Sequence, residues 1–212
     1  SINFVLYIAD DWGIAQHTLI EGASIMDWAA AFTTTIDLFA WFLLLILFEL
    51  ETHALNDDAF TPNRVRLMHG IRGFCYILLF HTIYVYAAAV VDLTEEFPVE
   101  IDSLCELVDK GVSYTSNYDY VELTNDNCSS VVSGSDYFMG SDGQAVMDAA
   151  GFELAQYMSW LDLFESLSWI GIMLAIELGV RLQDKGIAGG RRIRLLNTSS
   201  VLFYCVLWTA IG

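Results

Sequence analysis

The sequence predicts an all-α integral membrane protein with four transmembrane helices, built as two tandem helical hairpins of the same orientation with an acidic extracytoplasmic cap. Three observations carry this prediction. Of the 212 residues, 55% are hydrophobic and only 17% are charged, which is more apolar than a soluble domain. Four segments reach the roughly 20 apolar residues that a bilayer requires. The basic residues cluster in two short connections.

The predicted spans cover residues 28–49, 73–91, 157–178 and 195–212. The first contains Asp37 near its start and the third contains Asp162 and Glu165, whereas the second and fourth carry no formal charge. The alternative is that these segments are buried helices of a large soluble α-protein. Four such segments and only two prolines in the chain favour the membrane interpretation.

The basic residues orient the predicted spans. All but Lys110 lie at or beside the two hairpin loops, at Arg64, Arg66, Arg72, Arg181, Lys185, Arg191, Arg192 and Arg194. By the positive-inside rule, loops 50–66 and 179–194 are cytoplasmic. Residues 92–156 and both termini are then extracytoplasmic.

The predicted domains follow from this topology. An N-terminal segment, residues 1–27, lies on the outer membrane face, because its Asp10-Asp11-Trp12-Gly13 stretch and the nearby Trp28 suit an interface. The first hairpin is 28–91, the cap is 92–156 and the second hairpin is 157–212.

The cap carries much of the net charge of −18, with Lys110 as its one basic residue. Such a surface repels nucleic acid and would raise the local concentration of cations; the alternative is a solvated surface that only keeps the cap soluble. Cys105 and Cys128 are predicted to form a disulfide in this extracytoplasmic loop. Residues 102–111 suggest a short helix, and the Ser-, Asn-, Asp- and Gly-rich stretch 121–144 suggests turns.

The chain resembles itself at an offset of 128 residues. Nine positions between 36 and 84 are identical to their counterparts without a gap, and Trp41 with Trp169 and Glu49 with Glu177 carry the most weight because such residues are rare in spans. The sequence therefore predicts a duplicated hairpin, whose two copies are related by a pseudo-twofold axis along the membrane normal.

The duplicated outer acids are the candidate ion-pathway residues. Asp37 lies four residues before Trp41, and Glu165 lies four before Trp169, so each acid shares a helical face with a tryptophan. An ionisable residue inside a span costs roughly 2.5–3.5 kcal/mol and is a functional candidate by default. Asp162 is a further candidate. The alternative is that the spans begin later and these acids are solvated at the interface.

The inner acids are predicted to be structural. Glu49 and Glu177 lie level with the arginines that open the next helix. We expect hairpin ion pairs of Glu49 with Arg64 or Arg66, and of Glu177 with Arg192 or Arg194.

No metal, haem or other cofactor is expected. Residues His53 and His69 could approach Glu49, but the second copy has Arg181 and Asn197 in their places, and His81 has no partner for haem at mid-membrane depth. Catalytic motifs such as a metalloprotease, nucleophile-elbow, P-loop or dinucleotide signature are missing, so an enzyme is the least favoured class.

Two functions remain. The first is an ion-handling membrane protein, a cation channel or ion-coupled transport subunit, with intramembrane carboxylates below an acidic vestibule. The second is a non-catalytic accessory or structural subunit of a larger membrane complex. The expected partners are the lipid bilayer and either further copies of the chain or other membrane subunits, but no nucleic acid.

Overall fold

The structure, a computed structural model, describes residues 2–19, 23–51, 61–95, 97–101, 103–116, 119–130, 136–140, 143–187 and 189–211. Two compact units divide the chain, Ser1–Gln156 and Tyr157–Gly212. Six α-helices are described: α1 Ile2–Thr18, α2 Ile25–Ala31, α3 Thr33–Glu49, α4 Pro62–Asp92, α5 Ala149–Asp184 and α6 Arg191–Ile211. The protein is thus mainly helical, and most of the predicted loop 50–66 lies outside the described residues.

The all-α prediction is wrong, because the cap contains a five-stranded sheet. Its strands are β1 Pro98–Val99, β2 Ser113–Ser116, β3 Asp119–Glu122, β4 Tyr137–Met139 and β5 Ala145–Asp148. The order is β1-β4-β5-β2-β3; β2 and β5 pair in parallel, and the other neighbours pair antiparallel. We call these five strands the cap sheet. They are so short that long-range pairing, more than local propensity, holds them in place.

A small apolar core lies under the cap sheet. It joins the sheet to the predicted short helix, which is a 3-10 helix over Leu104–Lys110. Gly111 ends that helix in the left-handed conformation, at a φ of 67°, which a glycine adopts without a Cβ clash. The buried core residues are Leu104, Leu107, Val112, Tyr114, Leu123, Tyr137 and Val146.

The first predicted span is broken. Helices α2 and α3 meet at Phe32 and are bent by 78°. Three successive threonines follow the break, and β-branched residues with hydroxyls that bond nearby carbonyls disfavour a continuous helix. The Thr33 hydroxyl donates to the Ala30 carbonyl at 2.7 Å.

The second and third predicted spans lie inside longer helices, and α6 covers the described part of the fourth. Helix α4 begins at Pro62, whose missing N–H suits the first position of a helix, and α5 begins at Ala149, inside the predicted cap. Both are long and apolar enough to cross a bilayer, and α2 with α3 would add a third span if this bent pair is counted as one. Over the described part of the chain α6 is not among them, so four spans are not shown.

Helix packing leaves large apolar surfaces outside. In both α4 and α5, only 22% of the most apolar stretch is buried within the chain. Helix α4 packs against α3. Cys75, Leu79 and Thr82 share one face of α4 and are fully buried, while Ile77 and Tyr84 on its other side are exposed. In the second unit, the Phe203 ring of α6 lies against Gly171 of α5, where a Cβ would come within 2.5 Å of the ring.

Candidate functional site

Glu165 and Trp169 form a polar pair on α5. The indole Nε1 of Trp169 donates a hydrogen bond to the Glu165 Oε1 at 3.3 Å. The Glu165 side chain is half-buried, and Trp169 is 41% exposed. The four-residue spacing noted in the sequence therefore brings the acid and the tryptophan into contact, so that one carboxylate oxygen has a donor on an apolar helix.

The other candidate pathway acids are also half-buried. Asp37 lies in the second turn of α3, in the first unit, with Trp41 one turn later. Asp162 lies on α5, in the second unit, one turn before Glu165. Each acid thus lies within a helix that is apolar by sequence, and none lies on a loop.

The inner acids and arginines lie at the helix ends, where the sequence placed them. Glu49 is the last residue of α3, and Glu177 lies in the final quarter of α5. Glu177 Oε1 accepts a hydrogen bond of 2.5 Å from Arg181, one turn later on the same helix. The four arginines of the predicted hairpin pairs are all exposed, in the first turns of α4 and α6: Arg64, Arg66, Arg192 and Arg194.

A further ion pair crosses the first hairpin. The Arg72 guanidinium on α4 donates to the Glu51 Oε2 at 2.7 Å, and both side chains are partly buried. This pair joins Glu51, two residues after the end of α3, to the third turn of α4. The sequence predicted instead that Glu49 pairs with Arg64 or Arg66, because a glutamate and two arginines recur at the same spacing in the second copy.

The predicted Cys105–Cys128 disulfide is confirmed, with the two Cα atoms 4.9 Å apart. It joins the 3-10 helix to the turn that follows β3. The described acids of the cap are exposed, except for Asp148, which is half-buried on β5. Burial, with the negative charge of Asp148 nearby, raises the pKa of the Tyr114 phenol on β2.

The N-terminal segment supplies a group that sequence reasoning missed. Asp11 on α1 is 3% exposed, and its Oδ2 accepts a hydrogen bond from the Thr35 N–H at 2.8 Å. Thr35 lies in the first turn of α3, where backbone N–H groups have no partner inside the helix. Phe32, the residue before α3, provides no side-chain cap. Asp11 therefore caps α3 from another helix, and the Asp10-Asp11-Trp12-Gly13 stretch was the only signal for it.

Trp12 packs at the same break. Its ring centroid lies 6.2 Å from that of Phe32 and 6.4 Å from that of Trp28 on α2. Nearer the start of α1, Phe4 contacts Phe42 of α3 edge to face at 5.7 Å. Because Phe4 meets Phe42 and Asp11 meets Thr35, α1 runs antiparallel to α3.

The other end of α1 contacts the cap sheet. His17 Nδ1 lies 2.8 Å from the Ser113 Oγ of β2, at hydrogen-bond distance. The His17 ring also stacks on Tyr120 of β3, with centroids 5.4 Å apart and planes 7° apart. Helix α1 therefore contacts both the helix break and the cap sheet.

Within the described residues, no three or more His, Cys, Asp or Glu side chains are grouped closely enough to hold a metal ion. Both ring nitrogens of His81, midway along α4, are enclosed and have no hydrogen-bond partner among the residues that the structure describes. The candidate site therefore consists of half-buried carboxylates on apolar helices, of which Glu165 accepts a hydrogen bond from an indole N–H.

Comparison of this chain with models of known protein families, with characterised proteins and with solved structures returned no match.

Proposed function

We propose that this chain is a multi-pass membrane protein that handles cations, a cation channel or an ion-coupled transport subunit, with the carboxylates of Asp37 and Glu165 as its candidate ion-pathway groups. The observation that carries the proposal is the half-buried Glu165 on an apolar helix, with the Trp169 indole as a donor. Insertion of a carboxylate at such a position into a membrane costs free energy, so an ion path or a polar partner is the natural role for it.

The proposed topology has four spans, with α6 as the fourth and the cap outside. The exposed apolar side chains along α4 and α5 support contact with lipid, because the hydrocarbon core of a bilayer solvates apolar side chains. The arginines that open α4 and α6 support cytoplasmic hairpin loops. The chain termini are then extracytoplasmic.

The break between α2 and α3 supports ion handling as well. Discontinuous helices at membrane depth are tolerated where they are buried in protein or line a cavity, and they form the ion sites of many transporters. Asp37 lies on α3 just beyond this break.

A duplicated hairpin remains part of the proposal, and burial supports it. Several positions that are buried in the first hairpin have buried counterparts 128 residues later. These pairs are Ala40 with Ser168, Leu47 with Ala175, and Leu79 with Leu207. A shared buried face is what two copies of one packing unit would have.

The acidic cap would then raise the cation concentration at the entrance. Exposed carboxylates on the cap sheet and the 3-10 helix create a negative potential that attracts cations and repels nucleic acid.

Purified protein in liposomes tests the proposal. Potassium and proton fluxes are measured with the parent, with Glu165→Gln and with Asp37→Asn, and Asp109→Asn serves as a control because it removes an exposed acid of the cap. We expect at least a tenfold loss of flux in the first two variants and little change in the third. Absence of flux from the parent would reject ion handling.

The second candidate is a non-catalytic subunit of a larger membrane complex. Large apolar side chains favour it, because α4 and α6 expose Tyr84 and Trp208 at 66% and 80%, and a partner subunit could cover them. Gentle extraction from the native membrane followed by mass spectrometry distinguishes the two. A stoichiometric partner, together with a parent that shows no flux, would support this candidate.

A further inference from the structure

We propose that α1 is a mechanical link between the cap sheet and the break of the α2–α3 pair, so that a change in the cap alters the first turn of α3. This inference does not depend on ion handling. It is supported by contacts from the middle of α1, at Asp11 and Trp12, and from its C-terminal end, at His17.

At the break, α1 supplies what α3 lacks. The first turn of α3 has no side-chain cap from Phe32, and the Asp11 carboxylate binds the Thr35 N–H instead. A carboxylate at this position also stabilises the positive end of the helix dipole. Trp12 packs on Phe32 at the same place. The geometry of the break therefore depends on where α1 lies.

At the cap, α1 is held by side chains of two adjacent strands. His17 lies at hydrogen-bond distance from Ser113 on β2 and stacks on Tyr120 of β3. Ser113 is 4% exposed, so water has little access to compete for the hydrogen bond of its hydroxyl. These two contacts fix the end of α1 that lies about two turns beyond Asp11.

The disulfide completes the anchor. The Cys105–Cys128 bond joins cysteines 23 residues apart in sequence, and the loop that it closes contains both Ser113 and Tyr120. Closing this loop restricts the β2–β3 hairpin, and the hairpin in turn restricts His17. Loss of the disulfide should therefore change the break although the bond is distant from it, because α1 is one continuous helix from Asp11 to His17.

Hydrogen exchange in the full chain, reconstituted in lipid nanodiscs, tests the link at the Thr35 amide. Asp11→Ala removes the cap directly and should accelerate exchange about fivefold, from a typical capping free energy of about 1 kcal/mol. His17→Ala and Ser113→Ala each remove one partner of the contact between α1 and the cap sheet. The Cys105→Ser/Cys128→Ser variant leaves α1 unchanged in sequence.

We expect these three cap-side variants to accelerate Thr35 exchange by about threefold to tenfold, the effect of one lost hydrogen bond or stacked contact. Thr18→Ala is the matched control, because the Thr18 hydroxyl donates to the Ile14 carbonyl of its own helix, and it should leave the rate unchanged. Segment 74–80 of α4 reports global loosening. A parental rate at Thr35 in any cap-side variant, or equal acceleration along α4, overturns the proposal.

Discussion

The Trp169 indole donates a hydrogen bond to the Glu165 carboxylate at 3.3 Å, one helical turn earlier on α5. A charged group on an apolar helix loses much of its hydration, and a donor on the same face replaces part of it. Asp37 and Trp41 recur at the same spacing on α3. A substitution at Trp169 therefore changes the hydrogen bonding of the Glu165 carboxylate while the carboxylate itself stays in place.

Replacing Trp169 with Phe should destabilise the protein by about 1 kcal/mol, because a phenyl ring keeps part of the aromatic surface while the N–H donor to Glu165 is lost. Thermal unfolding in detergent measures this change. Trp160→Phe on the same helix is the control, since Trp160 contacts Phe164 through its ring. Equal stability of the two variants would show that the hydrogen bond contributes nothing.

Removing the disulfide should loosen the cap. A Cys105→Ser/Cys128→Ser variant is expected to lose roughly 2–4 kcal/mol of stability in this region, the usual contribution of a bond that closes a loop of this size. Protease sensitivity and hydrogen exchange of β2 and β3 measure it. Cys205→Ser changes a free, exposed cysteine and should have no effect. Unchanged protection of β2 in the double variant contradicts this expectation.

Gly171→Ala should weaken packing between α5 and α6. The added Cβ would lie 2.5 Å from Phe203 ring atoms, so the ring must move, and overpacking of this kind costs about 1–3 kcal/mol. Gly179→Ala is the matched control, because no neighbouring atom among the described residues lies within 4 Å of its added Cβ. There the better helix propensity of alanine should stabilise by up to about 1 kcal/mol. A Gly171→Ala/Phe203→Leu variant should recover part of the loss; if Gly171→Ala behaves like Gly179→Ala, the close contact is absent.

Alkaline pH should destabilise the cap through Tyr114. Burial, and then the charge of Asp148, raise its pKa in the fold, so the folded state holds the neutral phenol. Its contribution to stability is complete below the unfolded pKa of about 10, and it is lost as pH rises through the higher folded pKa.

Difference titration measures this effect. The tyrosinate absorbance of the parent minus that of Tyr114→Phe should show a step above about pH 10, and the variant should unfold less steeply in base. A step at or below that pH would mean that Tyr114 ionises as readily in the fold as in the unfolded chain.

Sequence reasoning located most helices but misjudged their bounds. Apolar runs found the cores of α4 and α5, yet both helices extend well beyond the predicted spans, because the flanking residues continue the helix although polar and charged side chains interrupt their apolar pattern. The break at Phe32 was missed, since Thr33, Thr34 and Thr35 are apolar enough to continue a hydrophobic segment. The cap sheet was missed because strands of two to four residues among Asn, Asp, Ser and Gly carry no alternating pattern.

By itself, the sequence determined the apolar helices, the acid-to-tryptophan spacing and the disulfide, since each depends on periodicity or on the number of cysteines in one loop. Only the tertiary structure decided that Asp11 caps α3, that His17 meets Ser113 and Tyr120, and that β2 pairs with β5. These contacts join residues far apart in the chain. Their free energy comes from burial of side chains and from the pairing of backbone groups that would otherwise lack a hydrogen bond, and no local pattern of residues records either.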